Sequence, residues 1–571
     1  MLSPITFFNK QTLKPRQQQQ EVLDIVVKEW DNYDYFVLNL PTGVGKTFIA
    51  CALGDAVGRT YMLTSTLQLQ AQYEESWNQI VNLKGRGNYE CNLNPAFTVD
   101  SAPCLANEDL KRSCQDNGTC AYYTQKEKAL RAPAMITNPV YFLYSTHCGF
   151  GKDTEKNAWV KRSLLICDEA HNLEQHLISF AQSTIDPKKL HADHGAKCGD
   201  VKFTGALADD YLSLKKLRMI LMARAEEYQA ELEKAFPKGK TADLISWASG
   251  FDKRSAEKAR KMNAKMYALD KAVQPLNIFF NTHKSEDELK RRWLISHDAQ
   301  EGTLQLSPLY GDFLFEEYIR KMADKFVFMS ATLGTKEQFC KELGISLDRC
   351  LFVETDTPFP PHKSPILVMP SLKLGYKDLP TSLPKIPGLI ESILDEHTDQ
   401  RGIIHCATYK LAEEIYRRVK PEYQKRLITR DMDILSGAAS GKASQYGGRK
   451  YNNEELLRLH GTGSIKNSTL LSPSMMEGVD LVDDLSLFQI ILKIPWASLA
   501  DPRVKRKSEL DNDWYTNNAW VHVMQASGRS TRHEEDESIT YILDASFPYF
   551  YDKWKQKLPK WFKDRLVFPK G

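Results

Sequence analysis

The stretch that most constrains this chain is Pro41-Thr42-Gly43-Val44-Gly45-Lys46-Thr47. An apolar run, Tyr35 to Leu40, precedes it and reads as a buried strand. Phe48 to Val57, rich in Ala, Leu and Ile, follows and reads as a helix. Strand, glycine-rich loop, Gly-Lys-Thr and helix form the order of a P-loop. The glycines let backbone N–H groups turn inward around phosphates, and the helix N-terminus adds a partial positive charge. Lys46 would reach the β and γ phosphates of a nucleotide, and Thr47 would hold Mg²⁺. Leu40 stands where the longer form of this loop has its first Gly.

A chain of 571 residues is too long for one core, and domains of about 100–200 residues predict three or four. Hydrophobic content of 42% and charged content of 26% exclude a disordered or lipid-embedded chain. The longest apolar runs, such as Leu485 to Leu492, fall short of the ~18–20 residues that span a membrane. Met1 to Lys10 lacks a basic start and a long apolar stretch, so no secretion signal is expected. The expectation is an intracellular protein without a membrane partner, cytoplasmic or nucleoid-associated, or in a host cytoplasm if the source is viral.

Lys and Arg number 76 against 73 Asp and Glu, a net charge of +3. Any nucleic-acid surface must therefore come from local patches. Lys253-Arg254, Arg260-Lys261, Lys290-Arg291-Arg292 and Arg503 to Lys507 are the candidates, each read first as a solvated face. Eleven cysteines in an unsecreted chain are not a disulfide framework. Cys51, Cys167 and Cys406 sit in apolar runs and read as small core residues. Cys91, Cys104, Cys114 and Cys120 differ, because they share a stretch rich in Asn, Asp and Gly with few apolar residues. Such a segment needs a staple. Structural zinc favours closely paired ligands, and none are paired here. Four single thiolates suit the four corner irons of a cluster better, with zinc and free thiols as the alternatives.

In chain order, Leu13 to Trp30 reads as a helix after Pro15, and Gln17 at its start could read an adenine edge through its amide. Thr60 to Thr64 is a strand. Ser65 to Gln70 then opens a polar helix, suited to a phosphodiester backbone or to a plain N-cap. Met135 to Asn138 is another strand end. Ser163 to Cys167 is a buried strand ending in Asp168-Glu169-Ala170-His171. A carboxylate there suits a nucleotide-bound Mg²⁺, and its neighbour can act as base for the attacking water. Residues ~175–322 read as mostly helical. Tyr211 to Phe236 is amphipathic, and Met262, Met266, Leu269 and Val273 mark one helix face. Phe326 to Met329 returns to strand before Ser330-Ala331-Thr332, and Thr355 to Pro361 reads as a linker. Beyond it α/β alternation restarts, with strands at Gly402 to Cys406, Ser468 to Leu471, Leu487 to Ile494 and Ile539 to Leu543. Asp431 to Tyr451 reads as a loop.

The ordered set resembles the superfamily two helicases, and specifically their XPD/DinG branch. The match is carried by Pro41 to Thr47, Ser65 to Gln70, the four cysteines, Asp168-Glu169-Ala170-His171, Ser330-Ala331-Thr332, Glu477-Gly478-Val479-Asp480, and Gln525 to Arg532. Leu83 to Tyr89, Cys120-Ala121-Tyr122-Tyr123 and Lys493-Ile494-Pro495-Trp496 look particularly DinG-like. A P-loop without the first Gly is usual in that family, and Leu40 fits it. Asn138-Pro139 departs from the pattern, since related proteins often have His after the Asn.

The resemblance implies an α/β fold of two RecA-like parallel-sheet motor domains. An iron–sulfur insertion and a mostly helical Arch-like insertion would interrupt the first. The implied first motor domain is residues 1–85, 124–175 and 323–360, with the cluster domain at 86–123, the Arch-like insertion at 176–322 and the second motor domain at 361–571. ATP would sit on Pro41 to Thr47 with Gln17 and Asp480, and Mg²⁺ on Thr47 and Asp168. Glu169 would activate water, Arg529 and Arg532 would act as arginine fingers, and Gln525 would orient one of them. Cys91, Cys104, Cys114 and Cys120 would hold a 4Fe–4S cluster, with Tyr122 and Tyr123 either stacking on bases or packing against it. The implied activity is ATP-driven 5′→3′ unwinding of DNA by a monomer on single strands and forked duplexes, beside single-strand-binding, repair or replication proteins. The alternatives are a translocase that remodels bound proteins, and a scaffold without robust unwinding.

Overall fold

The apolar run before the P-loop forms β1 (Tyr35–Asn39), and every residue of it is buried. A strand buried on both faces needs helices above and below, which parallel crossovers supply. The chain next lays down β2 (Thr60–Leu63), β3 (Ile80–Asn82), β4 (Ala134–Thr137) and β5 (Arg162–Asp168). An insertion follows, with β6 (Ser183–Ile185), β7 (Trp293–Asp298) and β8 (Thr303–Pro308). The chain then returns through β9 (Ala323–Ser330) and β10 (Cys350–Glu354). The first sheet runs β10-β1-β9-β5-β2-β4-β3, with every pair parallel. Register aligns Asn39 with Ser330 and Asp168 with Met329. The P-loop, the D-E-A-H turn and the S-A-T turn therefore leave one carboxyl edge side by side, where α/β sheets bind ligands.

This computed structural model describes the chain apart from residues 1–2, 103, 105–107, 117, 148–158, 236–252, 376, 433–449, 464, 474–482, 529, 531–535 and 569–571. The second sheet is built from β11 (Ile366–Leu372), β12 (Gly402–His405), β13 (Leu427–Ile428), β14 (Thr469–Ser472), β15 (Phe488–Ile491), β16 (Ile539–Asp544) and β17 (Leu566–Val567). Its order is β13-β14-β12-β15-β16-β11-β17, again all parallel. Each sheet is covered on both faces. Val22, Ile49 and Leu53 pack on one side of the first, and Phe142, Leu177 and Phe315 on the other. Among the described residues no helix is long and apolar enough to cross a membrane.

The insertion carries the long helices Leu207–Ala235 and Lys253–Asn281 beside an antiparallel sheet of β6, β8 and β7. Its strands are short or half-buried, so they lack clean alternation. In the second helix Leu269 and Val273 are buried, and Met262 and Met266 pack against the same core, as their spacing predicts. Two expectations elsewhere need correction. The early helix begins at Gln17, because Arg16 is extended after Pro15. The basic run Arg503 to Lys507 is not a solvated face, since Arg503 is 6% exposed and Lys507 fully buried. Lys507 Nζ meets both Glu174 carboxylate oxygens at 2.6 and 2.7 Å, and Arg503 donates to the Pro308 and Leu309 carbonyls. That run fastens the second motor domain to the first.

Candidate nucleotide site and cysteine centre

Gly43 and Gly45 both take φ of +84°, a conformation only glycine adopts without penalty. They also admit close neighbours. A Cβ on Gly43 would sit 2.0 Å from the tip of the Phe359 ring, and one on Gly45 would sit 2.3 Å from Gln19 Nε2. Phe359 comes from the interdomain linker, so linker and loop touch. Arg16 donates to the Gly43 carbonyl. Gln19 donates to the Gly45 carbonyl at 3.3 Å and accepts from the Arg16 backbone at 2.9 Å. Lys46 Nζ rests 3.3 Å from the Leu40 carbonyl, and Thr47 is buried behind it. Gln17 lies on the exposed face, bonded to Glu21 at 2.8 Å. The glutamine that touches the loop is thus Gln19. Its signal was present, because Gln19 stands three, four and seven residues before Val22, Leu23 and Val26, the buried face of that helix.

Asp168 is 5% exposed and accepts from Tyr73 Oη and from the Glu169 backbone, both at 2.9 Å. Burial, reinforced by the adjacent Glu169 charge, pushes its carboxyl up to about 6 despite Lys46. Glu169 behaves oppositely. Burial would raise it, but His171, Lys46 and Ser330 outweigh that and hold it down at about 2. The two neighbouring carboxyls are therefore split by environment: burial raises one, and its partners hold the other down. Glu169 also takes a left-handed φ of +52°, strain that surrounding contacts must hold in place. Those contacts are Ser330 Oγ at 3.1 Å and His171 Nδ1 at 3.3 Å, with His171 Nδ1 and Ser330 Oγ 2.8 Å apart. The D-E-A-H and S-A-T turns thus form one hydrogen-bonded joint. The buried Asp168 carboxylate beside Lys46 and Thr47 suits a Mg²⁺–nucleotide pair.

On the second domain, Gln525 lies in the Asn512–Ser527 helix, and its Oε1 is buried without a partner among the described residues. Arg529, Arg532 and Glu477 to Asp480 lie outside the described residues. On the same carboxyl edge of the first sheet, beyond β2, Thr66 caps the Leu67–Ser76 helix through Leu69 N–H at 3.2 Å. Ser65 Oγ lies 3.1 Å from His176 Nε2, and Asn138 Nδ2 donates to the Ser65 carbonyl at 2.9 Å. Asn138 also accepts from Val140 N–H at the start of the Pro139–His147 helix, so Pro139 serves as a first-turn residue there.

Cys91, Cys104, Cys114 and Cys120 are free and buried, at 8, 6, 5 and 8% exposure. Burial raises the Cys104 thiol, and Cys114, Cys120 and Cys91 raise it further, which places all four within electrostatic reach. Burial likewise lifts Cys114 to about 11 and raises Cys120. Only a cationic centre would hold such groups as thiolates. Among the described residues, no three His, Cys, Asp or Glu side chains are arranged to hold a metal ion. Tyr122 and Tyr123 are 1% and 4% exposed and pack on Arg86, whose guanidinium lies 5.2 and 5.9 Å from their ring centroids. They pack inside the segment and present no free face for base stacking.

A P-loop, a D-E-A-H edge and a second parallel sheet, with a buried Gln525 on a helix packed beside it, are the parts of a P-loop NTPase with two RecA-like domains. Two family models match: "Type III restriction enzyme, res subunit" over residues 12–192 and "Helicase C-terminal domain" over 390–565. The ATP-dependent DNA helicase YoaA of Haemophilus influenzae is 21% identical, over 94% of this chain and 92% of its own. The ATP-dependent DNA helicase CHL1 of Saccharomyces cerevisiae is 23% identical, over 80% of this chain and 58% of its own. A solved XPD helicase superposes with a TM-score of 0.60 at 14% identity, covering 97% of this chain and all of that one. The chain is thus similar in sequence to ATP-dependent DNA helicases and in fold to XPD helicases.

Proposed function

We propose that this chain is an ATP-dependent DNA helicase that moves 5′→3′ along single-stranded DNA and opens the duplex ahead of it, in repair, replication or recombination. The observation that carries this reading is the joint of Glu169, His171 and Ser330. It ties the carboxylate that would orient water to the turn leading toward the second domain. Lys46 would neutralise the transferring phosphate, Thr47 and Asp168 would hold Mg²⁺, and Glu169 would align the attacking water. When bound, Mg²⁺ offsets phosphate charge and relieves the buried Asp168. Gln525, with its open acceptor, would orient Arg529 or Arg532 as the cleft closes.

Cys91, Cys104, Cys114 and Cys120, buried within electrostatic reach of one another, would hold a 4Fe–4S cluster, which would act as the staple that a coreless segment needs. Arg86 lies near Cys104 and Cys120 and opposes in part the burial that raises both thiols. Single-stranded and forked DNA are the proposed partners of a monomer, together with a single-strand-binding, repair or replication protein. The test is unwinding of forks of both polarities by anaerobically purified protein. Lys46→Ala and Glu169→Gln are expected to abolish DNA-stimulated hydrolysis and unwinding. Wild-type unwinding by Lys46→Ala would sink the proposal.

A further inference from the structure

Arg162 opens β5, the strand that ends at Asp168. Its side chain is 1% exposed. One terminal nitrogen donates to the Thr60 carbonyl at 2.9 Å and the Ala132 carbonyl at 3.1 Å. The other donates to the Ala129 and Leu130 carbonyls at 3.0 and 2.8 Å. The guanidinium also lies 4.5 Å from the Tyr61 ring centroid. Thr60 opens β2, and the remaining acceptors close the Ala121–Arg131 helix. Helix-end carbonyls have no partner within their own helix, and a cation there complements the helix dipole. A planar fork holds several carbonyls in a fixed arrangement that a point-charge ammonium cannot reproduce.

The other end of that helix belongs to the cysteine segment. Cys120 is its N-cap. Along the way Gln125 donates to the Asn82 carbonyl at 2.7 Å, fixing the helix to the end of β3. A helix of this length is a rigid rod of about 16 Å. It runs from a candidate cluster ligand to the base of the D-E-A-H strand, and Arg162 is the joint at that base. Among the described residues no carboxylate pairs with Arg162, so its charge is buried at a cost that a merely filled core would avoid.

We propose that Arg162 is a positioning residue that transmits displacement between the four-cysteine segment and the strand carrying Asp168 and Glu169. This rests on the helicase reading above. The test compares full-length, anaerobically purified wild type with Arg162→Lys and Arg162→Gln. Three quantities are read: single-strand-stimulated ATP hydrolysis, fork base pairs opened per ATP, and hydrogen exchange in residues 121–131 and 162–168. Both variants should keep the visible cluster absorption, and Arg162→Lys should hydrolyse ATP within about twofold of wild type. Base pairs opened per ATP should fall about fivefold or more, the scale of coupling between sites, with faster exchange at 121–131. Single-stranded DNA should slow exchange in 162–168 in wild type and not in the variants. An unchanged yield per ATP in Arg162→Lys, or a parallel fall of hydrolysis and unwinding, overturns the proposal. If wild type itself opens no fork, the helicase reading fails, and the exchange response to DNA then decides the coupling alone.

Discussion

Replacing Lys507 by methionine would remove the cation of the interdomain pair while keeping its length and most of its packing. In the native structure its Nζ is held by both oxygens of Glu174, and it lies 4.4 and 4.8 Å from the ring centroids of Trp514 and Tyr310. Methionine can still fill the space between those rings. Glu174 would then keep only the Gly311 N–H at 3.2 Å and the more distant Arg503 at 3.6 Å. Breaking one side of a buried pair costs about 3–5 kcal/mol, because a charge is left uncompensated. The remaining partners place this site near about 3 kcal/mol, at the low end of that range. The loss should appear as local opening, so hydrogen exchange of the Pro502–Leu510 helix is the assay. Glu174→Gln with Lys507→Met should recover part of the loss, since the buried carboxylate is removed together with the cation that pairs with it, while Arg503 keeps its carbonyl partners. A Lys507→Met penalty under about 1 kcal/mol, or a double variant no better than the single, would refute the assignment of a buried, partner-dependent pair.

Other expectations follow from the same geometry. Burial, aided by the Glu174 charge, pushes Glu342 up to about 7 from its ordinary 4.5. The folded state therefore holds that proton more tightly than the unfolded one, and stability falls as pH rises from about 4.5 through 7. Glu342→Gln should stabilise the protein by about 1–2 kcal/mol at pH 8, allowing for partial exposure, with the gain vanishing near pH 4 in urea titrations. Ser330→Ala removes the hydroxyl between Glu169 and His171, so DNA-stimulated ATP turnover should drop about tenfold or more while nucleotide affinity holds, measured by steady-state kinetics and nucleotide titration. Cys104→Ser should abolish visible cluster absorption and unwinding but leave nucleotide binding at the P-loop intact, as read by a fluorescent nucleotide.

What the sequence disclosed depended on how locally each feature is built. The P-loop, the D-E-A-H turn and the four cysteines are short runs whose chemistry needs those residues at those spacings, and the parallel sheets follow from the strands feeding them. Arg503 and Lys507 were illegible for the opposite reason. Their pattern is that of any basic helix, and the carboxylate that turns Lys507 into a buried pair lies 333 residues away in sequence. Gln19 sat between these cases. Four adjacent glutamines look alike, yet only Gln19 shares the face of Val22, Leu23 and Val26, so helical phase alone distinguishes it from Gln17. The joint between Glu169 and Ser330 depends on β9 pairing beside β5, where parallel register aligns Asp168 with Met329. Strand order is set by the packing of the whole sheet, so no local pattern encodes it. The same holds for Arg162, whose acceptors come from β2 and from the end of the Ala121–Arg131 helix. Motifs thus announced which chemistry the edge of the first sheet can perform. The residues that tie that edge to the second domain and to the cysteine segment became visible only through contacts between distant parts of the chain.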